Sequence, residues 1–179
     1  MKKIIAVLAF TVLTGIAFGQ KYKTTTGAIS FYSHATMEDI TAKNNQVTGL
    51  LEASTGELAY VVLIKSFEFT NALMQSHFND NYMQSDTYPK STFSGKIDNN
   101  SAVNYTKNGE TNITVSGKLT IHGVAKDVTA SGTITVSGTN VTLKSSFKVK
   151  LEDYGIKNDR IKNIASEIEV NVNTTLAKQ

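Results

Sequence analysis

The second half of this chain alternates between apolar and polar residues wherever a segment is long enough to show it. Ile113, Val115, Leu119 and Ile121 share one parity, and Thr114, Ser116, Lys118, Thr120 and His122 the other. Val128, Ala130, Gly132, Ile134 and Val136 alternate with threonines and serines. Val141, Leu143, Phe147, Val149 and Leu151 alternate with Thr142, Lys144, Ser146, Lys148, Lys150 and Glu152. Ile168, Val170 and Val172 alternate with Glu167, Glu169 and Asn171. A period of two places successive side chains on opposite faces of a strand, so each run predicts one dry and one wet face. The richness in valine and threonine agrees with strands.

Turn signals separate the runs: Asn108-Gly109, Gly123, Ser137-Gly138-Thr139-Asn140 and Tyr154-Gly155. Spacing this short favours antiparallel hairpins. The first half adds strand segments over 27–33, 46–53, 58–69 and 92–97. Over 58–67 both parities are apolar, with Tyr60, Val62 and Ile64 against Ala59, Val61 and Leu63. That strand is expected to be covered on both faces, by a helix or by a partner subunit. A short amphipathic helix is expected over 71–79, followed by a polar loop. Seven or eight strands with one dry face close as a barrel or stack as a sandwich, and periodicity does not choose between them.

The N-terminus reads as a secretory signal. Met1-Lys2-Lys3 is basic, residues 4–18 are almost wholly apolar, and Ala17-Phe18-Gly19 supplies small residues for cleavage after Gly19. The apolar run falls short of the roughly 20 residues that a spanning helix needs. Export to a periplasm or the medium of a bacterium is therefore expected, with no stable membrane insertion after cleavage. The remaining 20–179 suits one domain. Removing Lys2 and Lys3 from the 18 Lys and Arg leaves 16 against 15 Asp and Glu, so the net charge falls from +3 to +1. With no basic cluster interleaved with aromatics, nucleic acid is not an expected partner. Cysteine is absent, so stability must come from packing without disulfides.

No catalytic constellation stands out. His34, His77 and His122 lie more than forty residues apart, without the paired spacing of a metal site. Glu38-Asp39, Asp80, Asp86 and Asp98 are scattered, and nothing in their spacing holds two at the fixed distance of an acid/base pair. There is no Gly-x-Ser-x-Gly elbow and no thiol. The dense feature is instead aromatic and methionine-rich: Phe67, Phe69, Leu73, Met74, Phe78, Tyr82, Met83, Tyr88 and Phe93. Such side chains form a core plug, or they adapt to a flexible hydrocarbon.

Several elements in this order carry a resemblance. They are His77-Phe78-Asn79 with Tyr82-Met83-Gln84-Ser85-Asp86, then Tyr88-Pro89-Lys90 and Phe93. Next come Gly117-Lys118-Leu119-Thr120-Ile121-His122-Gly123-Val124-Ala125-Lys126 and Asp153-Tyr154-Gly155-Ile156. Over about 27–173 the chain resembles the YceI-like family of secreted, lipocalin-like, polyisoprenoid-binding proteins. The resemblance implies an all-β fold: an antiparallel eight-stranded lipocalin-like barrel with one or two short capping helices. It implies a non-enzymatic carrier or storage protein that holds a polyisoprenoid, quinone or fatty chain inside the barrel, with no cofactor. Leu151-Glu152 stands where members often carry an arginine, which bears on contacts to a polar head.

On that footing the apolar lining is expected from Leu119, Ile121, Ile134, Val136, Leu143, Phe147, Val149, Ile168 and Val170. Phe67, Phe69, Phe78, Tyr82 and Phe93 are expected to line or close one end. His77, Tyr88 and Tyr154 are expected near a polar head group at the mouth. Two other readings remain open: a small secreted enzyme acting on a lipid or quinone, and a ligand-free structural or interaction barrel. The doubly apolar strand over 58–67 makes a homodimer one arrangement of the latter.

Overall fold

The computed structural model describes residues 19–34, 39–156 and 165–179. Residues 1–18 of the expected signal segment over 1–19 and the carboxylate of Glu38 lie outside them. The described residues form nine strands: β1 (Lys21–Ser33), β2 (Ile40–Glu52), β3 (Glu57–Leu63), β4 (Glu68–Phe69), β5 (Lys90–Ile97), β6 (Gly109–Ile121), β7 (Val124–Ser137), β8 (Asn140–Lys150) and β9 (Glu167–Lys178). Helix α1 (Ala72–His77) runs on into a single π-type turn, Phe78–Tyr82. Eight strands run in the order β1-β9-β8-β7-β6-β5-β3-β2, and pairing of β1 with β2 closes the circle. Every pairing is antiparallel. The two-residue β4 pairs with β2 on the same edge as β3, through Ala42 and Phe69. This is the eight-stranded antiparallel barrel of the sequence reading, and closure leaves few open edges.

The alternation governs which way side chains point. In β3 the burial pattern alternates strictly: Leu58, Tyr60 and Val62 are buried while Ala59, Val61 and Leu63 face outward. The expectation that this strand is covered on both faces therefore does not hold within the chain, since Val61 is 37% and Leu63 47% exposed. Nor is 58–69 one strand. A 3-10 turn at Ile64–Ser66 breaks it, closed by Phe67 N–H donating to the Ile64 carbonyl at 3.2 Å. The turn shifts the inward parity, so that both Ile64 and Phe67 point into the interior, while the apolar Ala59, Val61 and Leu63 stay on the outer face. Helix α1 covers an end of the barrel instead of this wall. Asn71 caps it, its side-chain oxygen accepting from Leu73 N–H at 2.9 Å.

One end of the barrel is packed solid. Val47, Leu51, Ile134, Val141 and Leu176 are wholly buried there, with Tyr22 and Ile97 nearly so. The loop before β6 seals this end. Tyr105 donates its hydroxyl to Asn100 at 2.7 Å, and the Asn100 amide donates to the Ala53 carbonyl at 2.9 Å. His122 does not continue the outward parity of β6. It forms the β6–β7 hairpin turn with Gly123, at φ of 50° and 75°. Positive φ at both central residues is the type I′ geometry that matches strand twist.

Candidate functional site

Above the packed end the barrel is hollow. Tyr60 projects inward from β3 across Gly49, where a Cβ would lie 2.5 Å from the tyrosine ring. Its hydroxyl meets the Thr174 hydroxyl of β9 at 2.6 Å, a bond buried in the middle of the barrel. Burial pushes the Tyr60 pKa up to about 12, which keeps the phenol neutral and the bond intact at ordinary pH. This pair is the floor of a cavity of about 590 Å³. That volume lies within the ~300–1,000 Å³ typical of small-molecule sites.

The cavity wall is almost entirely hydrocarbon. Leu119 and Ile121 of β6, Leu143, Phe147 and Val149 of β8, and Ile168 and Val170 of β9 line it. On the inner face of β7, the small Ala130 and Gly132 border the space, whereas the glycines of β5 and β6 are covered by a side chain. Gly95 and Gly117 pair directly across the ladder, and the Phe93 ring folds over both, 2.6–2.8 Å from where their Cβ atoms would be. At the top, Phe31, Phe67, Phe69 and Phe78 form an aromatic cluster with centroids 5.0–5.9 Å apart. Phe31 and Phe78 stack while the other pairs are tilted or edge-on, and tilted, edge-on and offset-stacked rings are favoured over a face-to-face sandwich. Tyr82 and Met83 adjoin them, and Leu73 and Met74 of α1 edge the opening, with Leu73 63% exposed.

Among the residues expected at the site, the structure brings Phe67, Phe69, Phe78, Tyr82, Phe93, Leu119, Ile121, Leu143, Phe147, Val149, Ile168 and Val170 to this one cavity, and His77 to its edge. Ile134 and Val136 do not face it. They share the inward parity, but Ile134 lies on the rung of Leu143 and Thr174 and Val136 on the next, with Val141 and Leu176, and both are buried in the packed end. Tyr88 stacks on His122, with centroids 4.3 Å apart, and its ring covers Gly123, so it lies outside the cavity. Tyr154 is buried among Val149, Leu151 and Ile156, where burial raises its pKa; it too lies off the cavity. Sequence reasoning missed Phe31, Tyr60 and Ile64. The alternation of Ile29 with Phe31 was a usable signal for the first, whereas the role of Tyr60 depends on a partner 114 residues away.

Polar chemistry inside is sparse. Ser33 is buried and accepts from Ala165 N–H at 3.3 Å. The carboxylates are engaged on the surface: Asp39 with His34 at 2.8 Å, Asp80 with Ser76 at 2.8 Å, Asp86 with Lys65 at 2.5 Å and Asp98 with Ser116 at 2.6 Å. None of them lines the cavity. Among the described residues no group of three His, Asp or Glu side chains could hold a metal ion, and no helix is long and apolar enough to cross a membrane.

A closed antiparallel barrel, packed below and hollow above with an apolar lining, defines a lipocalin-like barrel. The sequence profile of the YceI-like domain matches residues 21–176, and the chain belongs to that family. Solved structures share the fold at low identity. A polyisoprenoid binding domain from Saccharophagus degradans, implicated in plant cell wall breakdown, superposes with a TM-score of 0.78 at 16% identity, covering 90% of this chain and 99% of that one. BcnA from Burkholderia cenocepacia does so at 0.68 and 18% identity, covering 83% of this chain and 95% of its own. A Campylobacter jejuni YCEI protein reaches 0.58 at 17% identity, covering 77% and 84% respectively. No curated protein sequence matches the chain.

Proposed function

We propose that this protein binds one long apolar chain, isoprenoid or fatty, inside the barrel, and that it carries or stores that chain rather than transforming it. The observation that carries the reading is the 590 Å³ cavity with a hydrocarbon wall above the Tyr60–Thr174 floor. Each buried methylene contributes about 0.8 kcal/mol, so a chain of about fifteen carbons contributes on the order of 12 kcal/mol. That offsets association costs of about 4–15 kcal/mol. The polyisoprenoid-binding description of the Saccharophagus degradans domain supports the same ligand class. The scarcity of polar groups in the wall favours a binder over an enzyme, because catalysis on a lipid or quinone needs convergent polar side chains. The basic and apolar N-terminal segment supports export to a periplasm or the medium.

Organic extraction of the purified protein, followed by mass spectrometry, tests this directly. A stoichiometric isoprenoid, quinone or fatty species is the expected result. The Phe147→Glu variant places a carboxylate in the wall and should lose both endogenous lipid and added chains while keeping its β-sheet circular dichroism. A folded Phe147→Glu protein that retains lipid would remove Phe147 from the binding wall, and failure of the native protein to take up any chain would end the reading. A second arrangement rests on the outer face, where Leu50, Val61 and Leu63 are exposed side by side on β2 and β3. This patch supports a homodimer, which sedimentation of the native protein and of Leu63→Lys would detect as a loss of the dimer in the variant.

A further inference from the structure

The wall of the barrel is not paired along its whole length. β7 and β8 pair from Ser137 opposite Asn140 up to Gly132 opposite Ser145, and there their ladder stops. Above that point β7 continues to Val124 paired only with β6, and β8 continues to Lys150 paired only with β9. Gly132 marks the parting. A Cβ there would lie 2.3 Å from the Lys144 carbonyl oxygen, so only a glycine fits at the last rung. The Ser145 hydroxyl donates to the Ser131 carbonyl at 2.7 Å and ties off the last rung. At the upper end, the Leu151–Tyr154 turn packs against Val124. Between these two closures lies a slit, and Val128, Ala130, Gly132, Ser145 and Phe147 on its edges all line the cavity.

The slit explains an otherwise misplaced charge. Lys126 sits directly opposite Leu119 in the β6–β7 ladder, and cross-strand partners share a face. Leu119 lines the cavity, so Lys126 has the inward parity of the wall, although it stands exposed at the slit and does not itself line the cavity. The rest of that face in β7 is Val124, Val128, Ala130, Gly132, Ile134 and Val136. In a closed wall this ammonium would be buried among hydrocarbon, which is strongly unfavourable for an unpaired charge. Here it is exposed, because the wall is open beside it. Among the described residues Lys126 makes no ion pair, and its neighbour Asp127 is held by Lys118 at 2.8 Å. Across the slit, Lys148 is paired with Glu167 at 3.2 Å, while Lys144, which borders the cavity, and Lys150 have no carboxylate partner among the described residues. Glu152 and Asp153 occupy the turn at the upper end. The two unpaired strand edges add backbone N–H groups that need acceptors.

We propose that this slit is a lateral port, where the anionic head of a chain-like lipid leaves the cavity and is held by Lys126. The head is a carboxylate or a phosphate, since both accept from an ammonium and from backbone N–H groups. The proposal rests on the chain-binding reading of the cavity and adds where the head group lies and what charge it bears.

The test uses the delipidated full protein and probes matched in chain but not in head: palmitate against hexadecanol, and geranylgeranyl phosphate against geranylgeraniol. The native protein should bind each anionic probe about tenfold or more tightly than its neutral partner, as a charge-assisted contact implies. Lys126→Gln should bring each pair to within about twofold by weakening only the anionic member. The pair with the larger native preference names the head group. Lys150→Gln, which removes an exposed charge from the outer face, should leave the preference intact. An unchanged preference in Lys126→Gln, or an equal loss in Lys150→Gln, would overturn the port while leaving chain binding in place. Failure of all four probes on the native protein would overturn both.

Discussion

The lower and upper halves of the barrel are built from the same eight strands and the same alternation, yet one is solid and the other hollow. In the packed end the inner face carries Tyr22, Val47, Leu51, Ile97, Ile134, Val136, Val141 and Leu176, large enough to meet across the axis. Above it, Ala130 and Gly132 are small on the inner face of β7, and Leu119, Phe147, Ile168 and Val170 border the space without filling it. An eight-stranded barrel is just wide enough for side chains to fill or for one ligand to occupy. Residue size at a few inward positions decides which.

The difference can be broken most sharply from below. Ile134→Ala should cost about 2–5 kcal/mol in urea-induced unfolding, the range for a fully packed core residue. Val170→Ala, bordering the empty cavity, should cost clearly less, and equal losses would mean that the upper half is as well packed as the lower. Gly132→Val forces a side chain against the Lys144 carbonyl and should lower stability by about 1–3 kcal/mol, seen as a drop in the thermal midpoint.

The boundary between the halves is testable next. Tyr60→Phe leaves the Thr174 hydroxyl buried without its partner and should cost about 1–3 kcal/mol in the same unfolding assay. The pH dependence follows from the raised Tyr60 pKa. An unfolded tyrosine ionises near pH ~10, and folded Tyr60 near about 12. The phenol's contribution is therefore full below pH ~10 and is lost as the pH rises toward the folded value. Burial raises Tyr22 and Tyr105 in the same direction, so Tyr60→Phe should show a shallower alkaline loss rather than a flat profile. The smallest effect belongs to the surface: Lys65→Gln removes an exposed pair with Asp86 and should leave the melting temperature unchanged within error.

Parity in the sequence was a sound guide to radial direction. It placed Leu119, Phe147 and Val170 inward, and the structure has them inward. It carried no information on height along the axis, so Ile134 and Val136 read like Phe147 although they lie in the packed end. Height depends on register between distant strands, such as Tyr60 of β3 reaching Thr174 of β9. The run over 58–69 misled for a related reason. Ala59, Val61 and Leu63 are apolar yet face outward, and a linear pattern cannot distinguish an exposed apolar face from a strand buried on both sides. Tyr88 and Tyr154 were expected at the mouth on the resemblance alone, but each is used to pack a turn. Lys126 interrupts an apolar parity run in plain view, and only the missing ladder between β7 and β8 shows why it is tolerated.

The Tyr60–Thr174 bond has one further consequence, because it turns the tube into a ruler. A chain threaded toward the floor gains about 0.8 kcal/mol for each methylene it buries. The gain stops when the chain end meets the phenol ring, and carbons beyond that length remain in water. Affinity plotted against chain length should climb and then break to a plateau. The position of the break measures the depth of the barrel in carbon atoms.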